Sequence, residues 1–147
     1  MDGIEIKIIN RNALEYLVQN IQDIDKDKAI RVGLKMGGNV IKRGGIRRLR
    51  ARMKNSKGVT GNLLKSFVVR VKRSSLGVLV GFSTQGSHAF LVDLGTNDRF
   101  QIKTGHHTGE ARALNFWTDT RNEDVQQAQG MIVQGINRYV ERVNNGL

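Results

Sequence analysis

Phe67-Val68-Val69-Arg70-Val71-Lys72-Arg73, separated by four residues from Val78-Leu79-Val80-Gly81-Phe82, is the stretch on which the fold turns. β-Branched and aromatic residues dominate both runs, and Ser74-Ser75-Leu76-Gly77 between them has a turn composition, so the spacing predicts a β-hairpin. Phe67, Val69 and Val71 fall on one face of the first run, and Val68, Arg70 and Lys72 fall on the other. The alternation gives a sheet with one side packed on helices and the other open to solvent or a partner.

Upstream, Ile4, Ile6 and Ile8 alternate with Glu5 and Lys7, a short half-buried strand. Leu14, Leu17, Val18 and Ile21 then recur at helical spacing, predicting a helix over about 11–22 started by Asn10 or Asn12. A longer helical pattern begins at Asp25 and runs through Ala29, Val32, Met36 and Val40. Gly33, Gly37, Gly38, Gly44 and Gly45 lie inside it, each costing up to about 1 kcal/mol against Ala in an exposed helix. Packing must hold such a helix, and its small residues admit the close approach of another backbone. The helix either continues through Leu49 as a basic extension or breaks at Gly44-Gly45, and a break or a poorly ordered extension within 44–58 is favoured.

Downstream, the apolar run Ala89-Phe90-Leu91-Val92 is a third apolar segment after the two of the hairpin and is expected as a further strand. Residues 97–115 are polar, with Gly105, Gly109, His106 and His107, and a loop this long in a compact domain points to function or an arm. Val125, Ala128, Ile132, Ile136, Tyr139 and Val143 then form the stripe of a C-terminal helix over about 122–143, ended by Asn144-Asn145-Gly146. The expected class is α+β. A small antiparallel sheet is packed by a long helix from the N-terminal half and by a C-terminal helix, in the order β-α-α-β-β-β-α. Residues 1–147 make one domain, with mobile loops at about 44–60 and 97–115.

The chain has no cysteine, which excludes disulfides and thiolate zinc sites, and no proline, so Gly, Asn, Asp, Ser and Thr must set its turns. Its N-terminus lacks the basic start and apolar run of a secretory signal, and no apolar stretch reaches membrane-spanning length, so neither export by that route nor a membrane partner is expected.

The net charge of +11 is unevenly placed: residues 1–27 carry −3, residues 28–92 carry +15 and residues 93–147 carry −1. No acidic residue occurs between Asp27 and Asp93, and the cations are densest from Lys42 to Lys57. Such a block repels itself unless it meets nucleic acid, an acidic protein surface or the Asp23, Asp25 and Asp27 segment of a neighbouring copy; otherwise it is a solvated face. No aromatic residue interleaves the block, which argues against single-strand or RNA binding.

A search for chemistry yields little. The carboxylates lie toward the two ends of the chain, and none is embedded in an apolar strand end where burial would raise its pKa. His106-His107 with Glu110 matches no zinc spacing, the helix glycines do not join a strand to a helix as a phosphate loop would, and no nucleophile elbow surrounds Ser83, Ser87 and His88. The expectation is a non-enzymatic protein without metal or cofactor.

The order of features is more telling. A helical half containing Lys28-Ala29 is followed by a basic linker, by Thr60-Gly61-Asn62-Leu63-Leu64-Lys65-Ser66-Phe67, by a hairpin ending Val80-Gly81, and by Ala89-Phe90-Leu91-Val92-Asp93-Leu94-Gly95-Thr96. Over residues 25–116 this resembles the siphophage tail-completion, or head–tail joining, family. There a Thr-Gly-x-Leu-x-x-Ser segment opens the sheet, a Val-Gly closes the second strand, and an acidic residue, an apolar residue and Gly-Thr precede a long loop. The sequence departs in having Val59 before Thr60 and Ala113-Leu114-Asn115-Phe116-Trp117 in place of a proline-rich segment.

The resemblance implies a structural virion protein of the phage neck, made in the host cytoplasm. It would cap the tail and join it to the head-side connector as part of a hexameric ring. Its partners would be other copies of itself, the tail tube or tail terminator, and connector proteins.

Within the motifs, Thr60 is suited to cap, Gly61 and Gly95 to turn the chain through positive φ, Leu63 to anchor the sheet and Asp93 to accept hydrogen bonds from backbone or Arg; Ser66 and Thr96 complete the two segments. The candidate interaction surface is Arg47, Arg48, Arg50, Arg52, Lys54 and Lys57 of the basic block with Arg99, Phe100 and Lys103 of the later loop. The alternative functions are a basic nucleic-acid-binding regulator and, with less support from the residues, a small basic nuclease.

Overall fold

The structure is a computed structural model that describes residues 3–53, 61–72, 74, 76–95, 99–100, 107–109 and 112–146. Ile4 and Ile6 turn inward and Glu5 and Lys7 outward in strand β1 (Ile4–Lys7), as their alternation requires. Helix α1 (Arg11–Val18) follows, capped by Asn10, whose Oδ1 accepts the backbone N–H of Ala13 at 3.0 Å. Helix α2 (Asp23–Arg52) then runs for 30 residues.

The one-turn helix α3 (Asn62–Lys65) leads into β2 (Phe67–Lys72) and β3 (Gly77–Phe82), the hairpin expected from the sequence. β3 is the central strand, paired antiparallel with β2 on one side and β1 on the other, with Val80 opposite both Val69 and Ile4. A 3₁₀ turn (Thr84–Gly86), helix α4 (Ala89–Leu94), a two-stranded ribbon of β4 (Arg99–Phe100) and β5 (His107–Gly109), and helix α5 (Phe116–Asn144) complete the chain. The α+β class holds, with α2 and α5 packed as the two long helices and α2 laid on the sheet.

Two local expectations change. Ala89–Val92 is helical, not a further strand: the run is too short for periodicity to separate a strand from a buried helix turn. And α2 does not break at Gly44-Gly45 but continues to Arg52, so residues 44–52 form no loop. The rest of the predicted loop at 44–60 lies outside the described residues beyond Met53, until Gly61.

The glycines themselves explain the continuity of α2. Gly33, Gly37 and Gly44 line up at helical spacing against α5, where a Cβ would strike Ile136, Ile132 and the Asp124 carboxylate respectively. Gly38 and Gly45 face the other way, where a Cβ would meet Val69 and Val78 at 2.6 and 2.7 Å, or Phe67 and Trp117 at 2.8 and 3.0 Å. α2 is therefore sandwiched between α5 and the sheet at a distance only small residues permit, and packing outweighs its poor helix propensity. Against Gly45 sits a cluster of Phe67, Phe82, Phe116 and Trp117, its ring centroids 4.7 to 6.4 Å apart, which joins the open end of the hairpin to the start of α5.

Candidate functional site

α4 explains the first half of the site. With helical spacing, Ala89 and Asp93 share its inner face and are buried, whereas Phe90, Leu91 and Leu94 point outward, Leu94 with 63% of its surface exposed. Asp93, only 1% exposed, reaches across to the start of α5. Its Oδ1 accepts the backbone N–H groups of Trp117 (2.7 Å) and Thr118 (3.1 Å), and its Oδ2 accepts the Thr118 hydroxyl (2.6 Å). These are N–H groups of the first turn of α5, which have no partner within the helix. The residue at the cap position, Asn115, has a left-handed backbone (φ 54°) and provides no side-chain cap, so Asp93 does its work from another element.

The main chain is clasped at the same place. The N–H groups of Leu114 and Asn115 donate to the carbonyls of Val92 and Asp93 at 3.0 and 2.9 Å. Gly95 follows with φ 76° and ψ −179°, a conformation open essentially to glycine alone, and ends α4. The excursion between Gly95 and Arg112 is thus closed at its base, with both ends held by residues 92–93 and 114–118.

α2 supplies the second half. Arg48, its side chain 10% exposed, donates from Nη1 and Nη2 to the two carboxylate oxygens of Asp124 at 2.6 and 3.0 Å, and Asp124 is 8% exposed. It also donates to Glu123 at 2.8 Å and to Thr120 Oγ1 at 3.1 Å, while the Thr120 hydroxyl donates to the Phe116 carbonyl at 2.6 Å. The Arg48 pKa is raised, chiefly by the hydrogen bond to Asp124 and against the opposing effect of burial. One turn on, Arg52 pairs with Asp119 at 2.6 Å and donates to the Leu114 carbonyl at 2.9 Å. Arg48 and Arg52 fasten the first turns of α5 on one side, and Asp93 fastens them on the other.

The structure thus divides the residues singled out from the sequence. Arg48 and Arg52 are not a free interaction surface; their guanidinium groups are engaged within the chain. Arg47 and Arg50 remain on the exposed side of α2. Asp93 takes the role of hydrogen-bond acceptor, from backbone and Thr118, with no Arg among these donors. Leu63 is buried, and Ser66, fully buried, donates its hydroxyl to the Leu63 carbonyl at 2.7 Å and gives its own carbonyl to the N–H of Ser83 at 2.8 Å. Gly61 differs from expectation: its φ is −65°, ordinary helical backbone, so no positive-φ turn is made there. Thr60, Lys54, Lys57, Thr96 and Lys103 lie outside the described residues, as do the side chains of Arg99 and Phe100.

Sequence reasoning singled out Asp93 as an acceptor but placed neither it nor Asp124 at a buried position. The signal for Asp93 was its place four residues after Ala89 on a helix; Asp124 lies within the α5 stripe, one position before Val125, and only its partner on α2 gives it meaning. The outward set Phe90, Leu91 and Leu94 was likewise hidden by the strand reading. Among the described residues no group of three His, Asp or Glu side chains is arranged to hold a metal, and no helix is long and apolar enough to cross a membrane.

Compared with models of known protein families, with curated proteins and with solved structures, the chain matches none of them.

Proposed function

We propose that the chain is a structural protein of a tailed-phage neck that caps the tail and joins it to the head-side connector as one subunit of a ring. The observation that carries this reading is the clasp at Asp93. A long polar excursion springs from a base fixed by a buried carboxylate, two backbone hydrogen bonds and Gly95, and beside it α4 exposes Phe90, Leu91 and Leu94. Such a base limits the entropy lost when a loop orders on a partner, because both ends are already in place. It also gives a physical role to the Asp93-Leu94-Gly95 segment on which the family resemblance rests.

Function on this reading is surface complementarity and not chemistry. Contacts between copies are heterologous, one surface meeting a different one on the next subunit, and these close into a ring when the rotation permits. The test is deletion of the reading frame in its phage, followed by negative-stain imaging of lysates. Separate heads and tails are expected; normal joined, infectious particles would overturn the proposal.

A further inference from the structure

One face of α2 remains unexplained by the clasp. With Arg48 and Arg52 engaged inside, the cations left on the outward side run from Lys28 through Arg31, Lys35, Lys42, Arg43 and Arg47 to Arg50, all exposed except half-buried Lys42. Apart from the adjacent pair Lys42 and Arg43, they follow in steps of three, four and seven residues, which spreads them over the side of the helix turned away from α5 and the sheet, and the 22 steps of 1.5 Å from Lys28 to Arg50 make a ridge about 33 Å long. Its uncharged members are Val32, Asn39 and Ile46. None of the seven cations makes an ion pair among the described residues.

From this geometry we infer that the ridge binds the phosphate backbone of double-stranded DNA without regard to sequence. Its length matches about one turn of duplex, roughly 34 Å. Duplex DNA presents about one negative charge per 1.7 Å along its axis, dense enough to neutralise every cation of the row and release bound counterions. Single-stranded nucleic acid fits poorly, because the ridge carries no aromatic residue on which bases would stack. An acidic protein fits less well than duplex: protein interfaces centre on a desolvated apolar or aromatic core and are depleted in lysine, and here Lys28, Lys35 and Lys42 stand in a row whose apolar members are Val32 and Ile46 alone. This inference does not depend on the neck assignment and stands or falls separately.

The test is a fluorescence-anisotropy titration of a labelled 30-base-pair duplex of random sequence with the full chain, at about 50 and 200 mM salt. Three variants are compared: the wild type; Lys35→Glu, Arg47→Glu and Arg50→Glu combined; and Lys65→Glu, Arg70→Glu and Arg138→Glu combined, which change the net charge equally but lie off the ridge. Circular dichroism verifies that each is folded, as their exposed positions lead one to expect. The wild type should lose at least tenfold in affinity between the two salts, and the ridge variant should bind at least tenfold more weakly with a salt slope smaller by about three. The off-ridge variant should stay within about threefold of wild type. Equal losses in both variants would reduce the effect to net charge and overturn the ridge; no binding by the wild type would overturn DNA altogether. Displacement of the duplex by polyglutamate at equal charge concentration would assign the ridge to an acidic protein instead.

Discussion

Asp93 accepts the backbone N–H of Trp117 at 2.7 Å across 24 residues of sequence, so the acidic residue of one helix caps the start of another. With its two bonds to Thr118, the buried carboxylate meets three donors. Asp93→Ala leaves those donors orphaned, and the loss of charged, buried hydrogen bonds is expected to cost about 3 kcal/mol in urea unfolding. Asp93→Asn keeps an acceptor oxygen and the shape of the side chain, and should cost about half as much. Equal stability of Asp93→Ala and wild type would mean that the clasp does not hold.

Arg48 and Asp124 form the second anchor, and a buried pair of this kind is costly to break on one side. Asp124→Leu alone is expected to destabilise by about 3 kcal/mol, because it leaves the largely buried guanidinium with only Glu123 and Thr120, whereas Arg48→Met with Asp124→Leu should recover most of that loss. The sign of the Arg48 shift fixes its pH behaviour. Its pKa is raised, so the stability its charge provides is fully present below the ordinary guanidinium value and is lost only as pH climbs through the raised one. The stability gap between wild type and Asp124→Leu should therefore stay constant from about pH 7 to 11. A gap that closes within that window would contradict the pairing.

These two anchors show what the sequence could disclose. Periodicity found β1, the hairpin and both long helices, because each has enough residues on one face for the pattern to stand out, as Ile132 and Ile136 do in α5. It failed where a local rule was outvoted from a distance. Gly44-Gly45 reads as a break, yet Asp124, Phe67 and Trp117 fill the space their missing side chains leave. Arg47 and Arg48 are indistinguishable neighbours in sequence; what separates them is a carboxylate 76 residues away. The base of the candidate site was legible in Asp93 and Gly95, but its partners 114–118 were not, since they meet it only after α5 has docked.

The two glycine environments on the long helices give opposite predictions for one substitution. Gly130 of α5 has nothing within 4 Å of a would-be Cβ, so Gly130→Ala should add up to about 1 kcal/mol through helix propensity alone. In Gly44→Ala the new methyl collides with the Asp124 carboxylate and pushes the ion pair apart, and a loss of about 3 kcal/mol or more is expected despite the same gain in propensity. Thermal melts read both; with this chain length each kcal/mol moves the midpoint by about 2–4 °C.

Gly61 and Gly95, which look equivalent in the two motifs, should separate in the same way. Gly95 sits at φ 76° and ψ −179°, where an L side chain is strained, and Gly95→Ala is expected to cost about 1–3 kcal/mol. Gly61 has ordinary helical backbone and, among the described residues, only the Lys65 side chain at 3.9 Å from a would-be Cβ, so Gly61→Ala should be neutral or stabilise by about 0.4–1 kcal/mol. A large loss of stability at Gly61 would show that the fold itself requires the missing side chain there.

The outward face of α4 offers the sharpest link between this fold and assembly. Phe90 and Leu94 lie one helical turn apart with 42% and 63% of their surface exposed, so Phe90→Ser with Leu94→Asp removes apolar area that the folded chain leaves largely in water. Surface changes of this sort usually alter stability by no more than about 0.5 kcal/mol, and the unfolding midpoint should scarcely move. If α4 and the adjoining loop meet a neighbouring subunit, the same double variant should fail to restore infectious particles to a phage lacking the gene, even though the protein accumulates in folded form. Complementation equal to wild type would place the partner contacts elsewhere on the surface, and loss of folding would mean that these side chains serve the domain itself.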